Sequence, residues 1–184
     1  VIQNPRFTIP HSPFTVMIHL VLYQPDIPQN LGACLRLSAC MGCTVHVVEP
    51  CGFPFDHAKL RRAGMDYIDK AKYFRHLNWD TFLKYRQAQD QARVGSHPEP
   101  RSEGVSEAKG SSSPSRLLLL ETDGKSRYIE FAFTSNDYVV IGSEGAGTPR
   151  ELYPQMDATL TIPMREGVRS LNMAMSAGML VAEA

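Results

Sequence analysis

The chain has 184 residues, 43% hydrophobic and 21% charged, and its 19 basic and 19 acidic residues give a formal net charge of zero. That length suffices for one domain with a core of its own. A net charge of zero excludes coating of nucleic acid by bulk electrostatics, so an RNA or DNA partner needs a local basic patch. No apolar run reaches membrane-spanning length.

Val1 to Thr15 lacks the unbroken apolar stretch of a signal peptide. Residues 1–16 are expected to form a flexible leader ahead of a single domain, 17–184, and a cytoplasmic location is the matching expectation. Met17 to Tyr23 reads as a buried strand. Pro25 and Pro28 bracket a turn, and Asn30 is expected to cap a helix running to Met41, with Leu31, Leu35 and Met41 apolar and Gly42 as its stop. Arg36 is the only Lys, Arg, Asp or Glu between Asp26 and Glu49. It is either part of a solvated helix face or a group with a designated anionic partner. Thr44 to Val48 is a second strand. Strand, helix and strand in that order predict a βαβ unit and a parallel sheet.

The cysteines are Cys34, Cys40, Cys43 and Cys51. Cys40, Cys43, His46 and Cys51 have the residue types of a zinc site. However, Cys43, Val45 and Val47 alternate along one strand face while His46 points to the other, and Cys34 and Cys40 fall in the helix. The expectation is small reduced thiols and no metal.

Residues 49–86 read as short elements, with helical turns at His57 to Arg62 and at Asp80 to Tyr85. Gln87 to Ser115 contains no aromatic residue and no Leu, Ile or Met. It is expected to be a flexible surface insertion, because so little apolar surface cannot offset the ordering of its backbone. Leu117 to Leu120 and Tyr138 to Ile141 read as buried strands, and Ala158 to Ile162 as an edge of the same sheet. Ser170 is expected to cap the last helix, with Leu171, Met175 and Met179 packed.

GSEGAGTP, Gly142 to Pro149, follows a strand directly. It is not a P-loop, since no Lys-Ser/Thr follows the last glycine, and its G-x-x-G-x-G order is not the dinucleotide fingerprint. By itself it is as consistent with a tight turn as with a site. IPMREGVRSLN, Ile162 to Asn172, supplies a second strand-to-loop exit. Two such exits side by side can build one cleft from backbone amides.

Three segments together, NLGACLR (Asn30 to Arg36), GSEGAG and IPM…SLN, resemble the three motifs of the SPOUT, or α/β-knot, RNA methyltransferases. LVLYQPDIPQN, VVEPCGFPFD and KLRRAGMDY narrow the resemblance to the tRNA 2′-O-methyltransferases of wobble position 34. The resemblance covers Met17 to Tyr85 and Arg116 to Ala184. It implies an α/β fold, a mostly parallel sheet flanked by helices with a C-terminal trefoil knot, which nothing in the periodicity reveals. It implies S-adenosylmethionine as cofactor, held by Leu120, Gly142, Glu144, Gly147, Ile162, Ser170 and Leu171, with Arg36, Asn30, Ser170 and Asn172 as catalytic residues. It also implies a tRNA anticodon stem-loop as substrate and a homodimer whose site is completed across the interface. In the relatives the last helix continues past the position of Ala184, and those residues help form dimer and site.

The resemblance implies a central role for Arg36, one often written as general base. Arginine is protonated far above neutral pH, and holding a guanidine neutral at pH 7 costs roughly 9 kcal/mol. The expectation is therefore that Arg36 stays charged and holds a phosphate or the developing alkoxide. Candidates for the RNA patch are Lys59, Arg61 and Arg62, then Lys70, Lys72, Arg75 and His76, then Arg165 and Arg169. The reading from a different class is a non-catalytic RNA- or nucleotide-binding module with the same fold.

Overall fold

In the computed structural model, the structure describes residues 16–55, 67, 69–95 and 114–184. The helical turn expected at His57 to Arg62 lies outside them, as does the leader up to residue 15. The strands are β1 (His19–Tyr23), β2 (Thr44–Val48), β3 (Tyr73–His76), β4 (Leu117–Leu120), β5 (Ser126–Arg127), β6 (Tyr138–Ile141) and β7 (Ala158–Thr161). The helices are α1 (Pro28–Met41), α2 (Trp79–Gly95) and α3 (Met173–Glu183). The strands form one sheet in the order β3-β2-β1-β6-β4-β7-β5, and every pair is parallel.

Both faces of this sheet are covered, which is why β4 and β6 read as unbroken apolar runs. One face (Leu20, Leu22, Val45, Val47, Leu118, Val139 and Leu160) packs on Leu31, Cys34 and Leu35 of α1 and on Met173, Ala177, Leu180 and Val181 of α3. The other (Val21, Leu117, Leu119, Tyr138 and Val140) packs on Trp79 and Phe82 of α2. The chain leaves β1 toward β2 and β3 on one side, then returns to build β4, β6 and β7 on the other. Such a reversal opens a crevice at the carboxyl ends of the strands.

Several expectations change. Ala158 to Ile162 is not an edge, because two-residue β5 pairs outside β7. Asn30 does not cap α1: Pro28, with fixed φ and no N–H to satisfy, starts the helix after Ile27, so Asn30 lies inside the first turn. Gly42 does end α1, at φ 82°, a backbone conformation that glycine adopts freely. Ser170 does not cap α3; Asn172 does, its side chain accepting from the N–H groups of Ala174 and Met175. That start sets the helix face, so Met173, Ala177 and Leu180 are buried while Met175 is 60% exposed and Leu171 40%.

The insertion also begins later than expected. Gln87 to Gly95 continue α2, whose outward face needs no large apolar residue. At the far end Ser115 is buried, donating through its hydroxyl to Asp90 at 2.7 Å and accepting from Arg86 Nε at 2.8 Å.

Under α2, His19, His46 and His76 form a chain across β1, β2 and β3, Nδ1 to Nε2 at 3.0 Å in each link. His76 therefore belongs to the core and not to a basic patch. Phe74, Phe82, Tyr85 and Tyr138 surround His46. Burial holds all three imidazoles below their ordinary 6.5, His19 at about 4, with the charges of Arg93 and Lys72 adding to the effect there. The folded state thus resists protons that the unfolded chain accepts. Stability is full above pH 6.5 and falls as the pH drops below it. The thermal midpoint is expected to decline between pH 7 and pH 5, and a flat profile would show that the trio contributes nothing.

The thiols of Cys34, Cys43 and Cys51 are pushed up by burial to about 12, 11 and 11, so they are protonated and unreactive. His46 points away from Cys43, and both its ring nitrogens are engaged by neighbouring histidines. Among the described residues no group of three or more metal-binding side chains converges, and no helix is long and apolar enough to cross a membrane.

Candidate active site

A cleft of about 900 Å³ opens at the carboxyl ends of β4, β6 and β7, with the start of α1 on one side and the start of α3 on the other. Its wall includes aliphatic side chains (Leu120, Ile141, Ile162) and backbone of the glycine loop. The loop closes on itself through paired bonds between Ser143 and Gly147, N–H to O at 3.2 and 2.9 Å. Gly142 lies so close to the returning strand of this loop that a Cβ there would stand 2.4 Å from the Gly147 carbonyl carbon and 2.5 Å from the Thr148 nitrogen. Glu121 and Glu144 bring carboxylates to the cleft and Arg169 brings a guanidinium. Glu121 Oε1 accepts from the Thr148 N–H at 3.2 Å.

One hydrogen-bond relay ties the three motif segments together, and its polarity is forced. Asn172 Oδ1 is committed to the α3 amides, so its Nδ2 must donate, and it does, to Asn30 Oδ1 at 2.8 Å. Asn30 Nδ2 must then donate in turn, and it meets Glu144 Oε1 at 2.6 Å. A buried amide with a single allowed orientation fixes its neighbours as well as itself. Asn172→Asp keeps the cap yet removes the donor and sets a carboxylate oxygen against Asn30 Oδ1. It is expected to cost about 1 kcal/mol in urea denaturation although Asp caps helices as well as Asn. Equal or higher stability would show that the relay is not enforced.

Of the residues singled out from the sequence, Leu120, Gly142, Glu144, Gly147, Ile162, Ser170 and Leu171 all line the cleft, as do Asn30, Asn172 and Arg169. Arg165 shares the exposed β7–α3 loop with Arg169 but is not part of the wall. Arg36 is on the exposed face of α1, outside the cleft wall, with its guanidinium 4.6 Å from the centre of the Tyr67 ring. Arg75 is paired with Glu49 at 2.8 Å. Lys59, Arg61 and Arg62 lie outside the described residues. Sequence reasoning passed over Glu121, Thr122, Met164 and Ser176, all on the wall. Glu121 carried a signal, a carboxylate directly after four buried leucines at a strand's carboxyl end.

A profile described as the SpoU rRNA Methylase family matches residues 17–182. The chain is 39% identical over 165 residues to a tRNA (cytidine(34)-2′-O)-methyltransferase of Ancylobacter novellus, covering 90% of this chain and 89% of that protein. A protein of the same name from Yersinia pestis is 32% identical over 170 residues, covering 91% and 92%. A solved structure described in terms of the 2-OH methylation of C/U34 on tRNA superposes with a TM-score of 0.72 at 32% identity, over 91% of this chain and 93% of that one. The SpoU methyltransferase AviRb from Streptomyces viridochromogenes, in complex with the cofactor AdoMet, shares the fold at a TM-score of 0.72 and 21% identity, over 94% and 58%.

Proposed function

The chain belongs to the SpoU rRNA Methylase family, and from that membership we propose that it transfers a methyl group from S-adenosylmethionine to the ribose 2′-hydroxyl of nucleotide 34, cytidine or uridine, in tRNA. The fold is the α/β-knot fold of the SPOUT proteins. The observation that carries the reading is the meeting of all three motif segments in one hydrogen-bonded cleft.

The residues present suit the cofactor. S-adenosylmethionine carries a sulfonium cation and a flat aromatic adenine whose faces suit aliphatic contacts, and it supplies an electrophilic methyl group. Glu121 and Glu144 give the cleft an acidic character, while Leu120, Ile141 and Ile162 give it an aliphatic floor. Ser170 and Leu171 would hold the ligand from the β7–α3 loop, and Gly142 and Gly147 would let backbone approach it. The chain's part in the reaction is to align the hydroxyl and stabilise charge as that oxygen loses its proton. We assign the charge stabilisation to Arg36, kept cationic, and the orientation of the site to Asn30 and Asn172.

For RNA, we assign contacts to Arg165 and Arg169 at the cleft rim, and to Arg61 and Arg62, to give the local patch that zero net charge requires. Exposed Ile27, Leu171 and Met175 at the α1–α3 side of the cleft favour a second copy of the chain as the group that covers them. Such a dimer would bring a second subunit's surface to the cleft.

Incubation with labelled S-adenosylmethionine and total tRNA, followed by nucleoside mapping, tests the function. Label in 2′-O-methylcytidine or 2′-O-methyluridine at position 34 is the expected result. Label in a base would overturn the ribose assignment, and tRNA binding without any label would favour a non-catalytic binding module.

A further inference from the structure

The relay described above does not end at Glu144. Its second carboxylate oxygen, Oε2, accepts from the backbone N–H of Asp26 at 2.8 Å. The carboxylate of Asp26 answers by accepting from the N–H of Gly145, Oδ2 at 3.0 Å. The two bonds are reciprocal. Each acidic side chain takes a backbone amide of the other's loop, and together they join the β1–α1 turn to the glycine loop across 118 and 119 residues of sequence.

Asp26 is exposed, yet its backbone is pinned. The Gly52 N–H donates to the Pro25 carbonyl at 3.0 Å, and a Cβ on Gly52 would stand 2.9 Å from both Asp26 Cα and Oδ1. A tightly packed loop thus abuts Asp26 at Cα and Oδ1 while Gly145 meets Oδ2, so the turn is a fixed point from which the glycine loop can be held. Gly145 itself is exposed and among the described atoms meets Asp26 Oδ2 at 3.1 Å from an added Cβ.

We propose that Asp26 is a positioning residue for the cofactor-binding loop: through the Gly145 amide it holds residues 143–147 in the shape that forms the cleft wall, and through its own amide it fixes the rotamer of Glu144 that orients Asn30. It touches neither cofactor nor RNA in this role. The inference rests on the assignment of the glycine loop to S-adenosylmethionine.

The test compares Asp26→Ala with Asp26→Asn, which keeps a side-chain oxygen for the Gly145 N–H. The probe is S-adenosylhomocysteine, followed by calorimetry, alongside tRNA KM and hydrogen exchange at the Gly145 amide. Asp26→Ala is expected to weaken the probe about 10-fold, the low end for loss of a charge-assisted bond, because the site is solvated. It should speed exchange at Gly145 and leave tRNA KM within about 2-fold and the thermal midpoint near wild type. Asp26→Asn should recover most of the affinity. Unchanged affinity and unchanged exchange in Asp26→Ala would overturn the proposal, as would an Asp26→Asn variant as weak as Asp26→Ala. If the wild-type chain fails to bind the probe, the cofactor assignment falls, and the exchange rate at Gly145 still decides whether Asp26 holds the loop.

Discussion

Replacing Gly142 with alanine is expected to weaken S-adenosylhomocysteine binding about 100-fold or more and to lower thermal stability. The added methyl group would meet the Gly147 carbonyl carbon at 2.4 Å and the Thr148 nitrogen at 2.5 Å. Both are backbone atoms, so no side-chain rotation relieves the contact. The loop must open, at a cost of about 1–3 kcal/mol. Opening breaks the Ser143–Gly147 pairing and moves Glu144, whose carboxylate orients Asn30. Gly147→Ala is the useful comparison. Its Cβ meets nothing closer than Glu121 Oε1 at 3.6 Å, and only its φ of 70° is strained. A loss of about 1–2 kcal/mol in stability is expected there, with a milder effect on binding. Calorimetry on the two variants separates them; equal binding by Gly142→Ala and wild type would show that this loop is not the cofactor wall.

Arg36→Lys is expected to reduce kcat about 100-fold or more, with S-adenosylhomocysteine affinity little changed. Arg36 is outside the cleft wall, so on the proposed reading cofactor affinity should not depend on it. Its guanidinium lies over the Tyr67 ring at 4.6 Å, a contact in which the aromatic face attracts a cation. Lysine keeps the charge but loses the planar fork that can hold a phosphate or an alkoxide through two parallel bonds. Loss of one group that stabilises a developing oxyanion costs about 100- to 1,000-fold in rate. Single-turnover methylation of tRNA with Arg36→Lys measures this directly. Near-full turnover would exclude any role that needs a guanidine, as base or as bidentate anchor.

The α/β class and the parallel core were legible in the chain, because β1, β2, β4 and β6 are short apolar runs buried on both faces. The cleft was legible only from the two strand exits together, since GSEGAGTP alone is as consistent with a tight turn as with a site. Helix starts were less so. Asn30 and Ser170 both have the residue type of a cap, and in both cases a neighbour prevailed: Pro28 by its fixed φ, and Asn172 by reaching two amides at once. The consequence is chemical. Freed from capping, Asn30 accepts from Asn172 and donates to Glu144, and Ser170 lines the cleft.

The length of α2 misled for a related reason. Gln87 to Gly95 carries almost nothing apolar, and composition alone reads such a stretch as unordered. A helix already anchored by Trp79 and Phe82 can continue along the surface, where charged pairs such as Asp90–Arg93 and bonds to Ser115 suffice.

By itself, the sequence determined five of the strands, β1, β2, β4, β6 and β7, and that the sheet would be parallel, while β3 and β5, short and without an apolar run of their own, went unread. Strands and their parallel order follow from local patterns of apolar spacing and turn residues, which neighbours along the chain decide; the three motif segments were legible as a set only through their resemblance to the SPOUT motifs. The tertiary structure alone decided the strand order, which places β6 between β1 and β4, and the partners of Asn30, Glu144 and Asp26. Those bonds join residues more than 110 positions apart. Their direction is set only once Asn172 has committed its oxygen to a helix end, and no local pattern records that constraint.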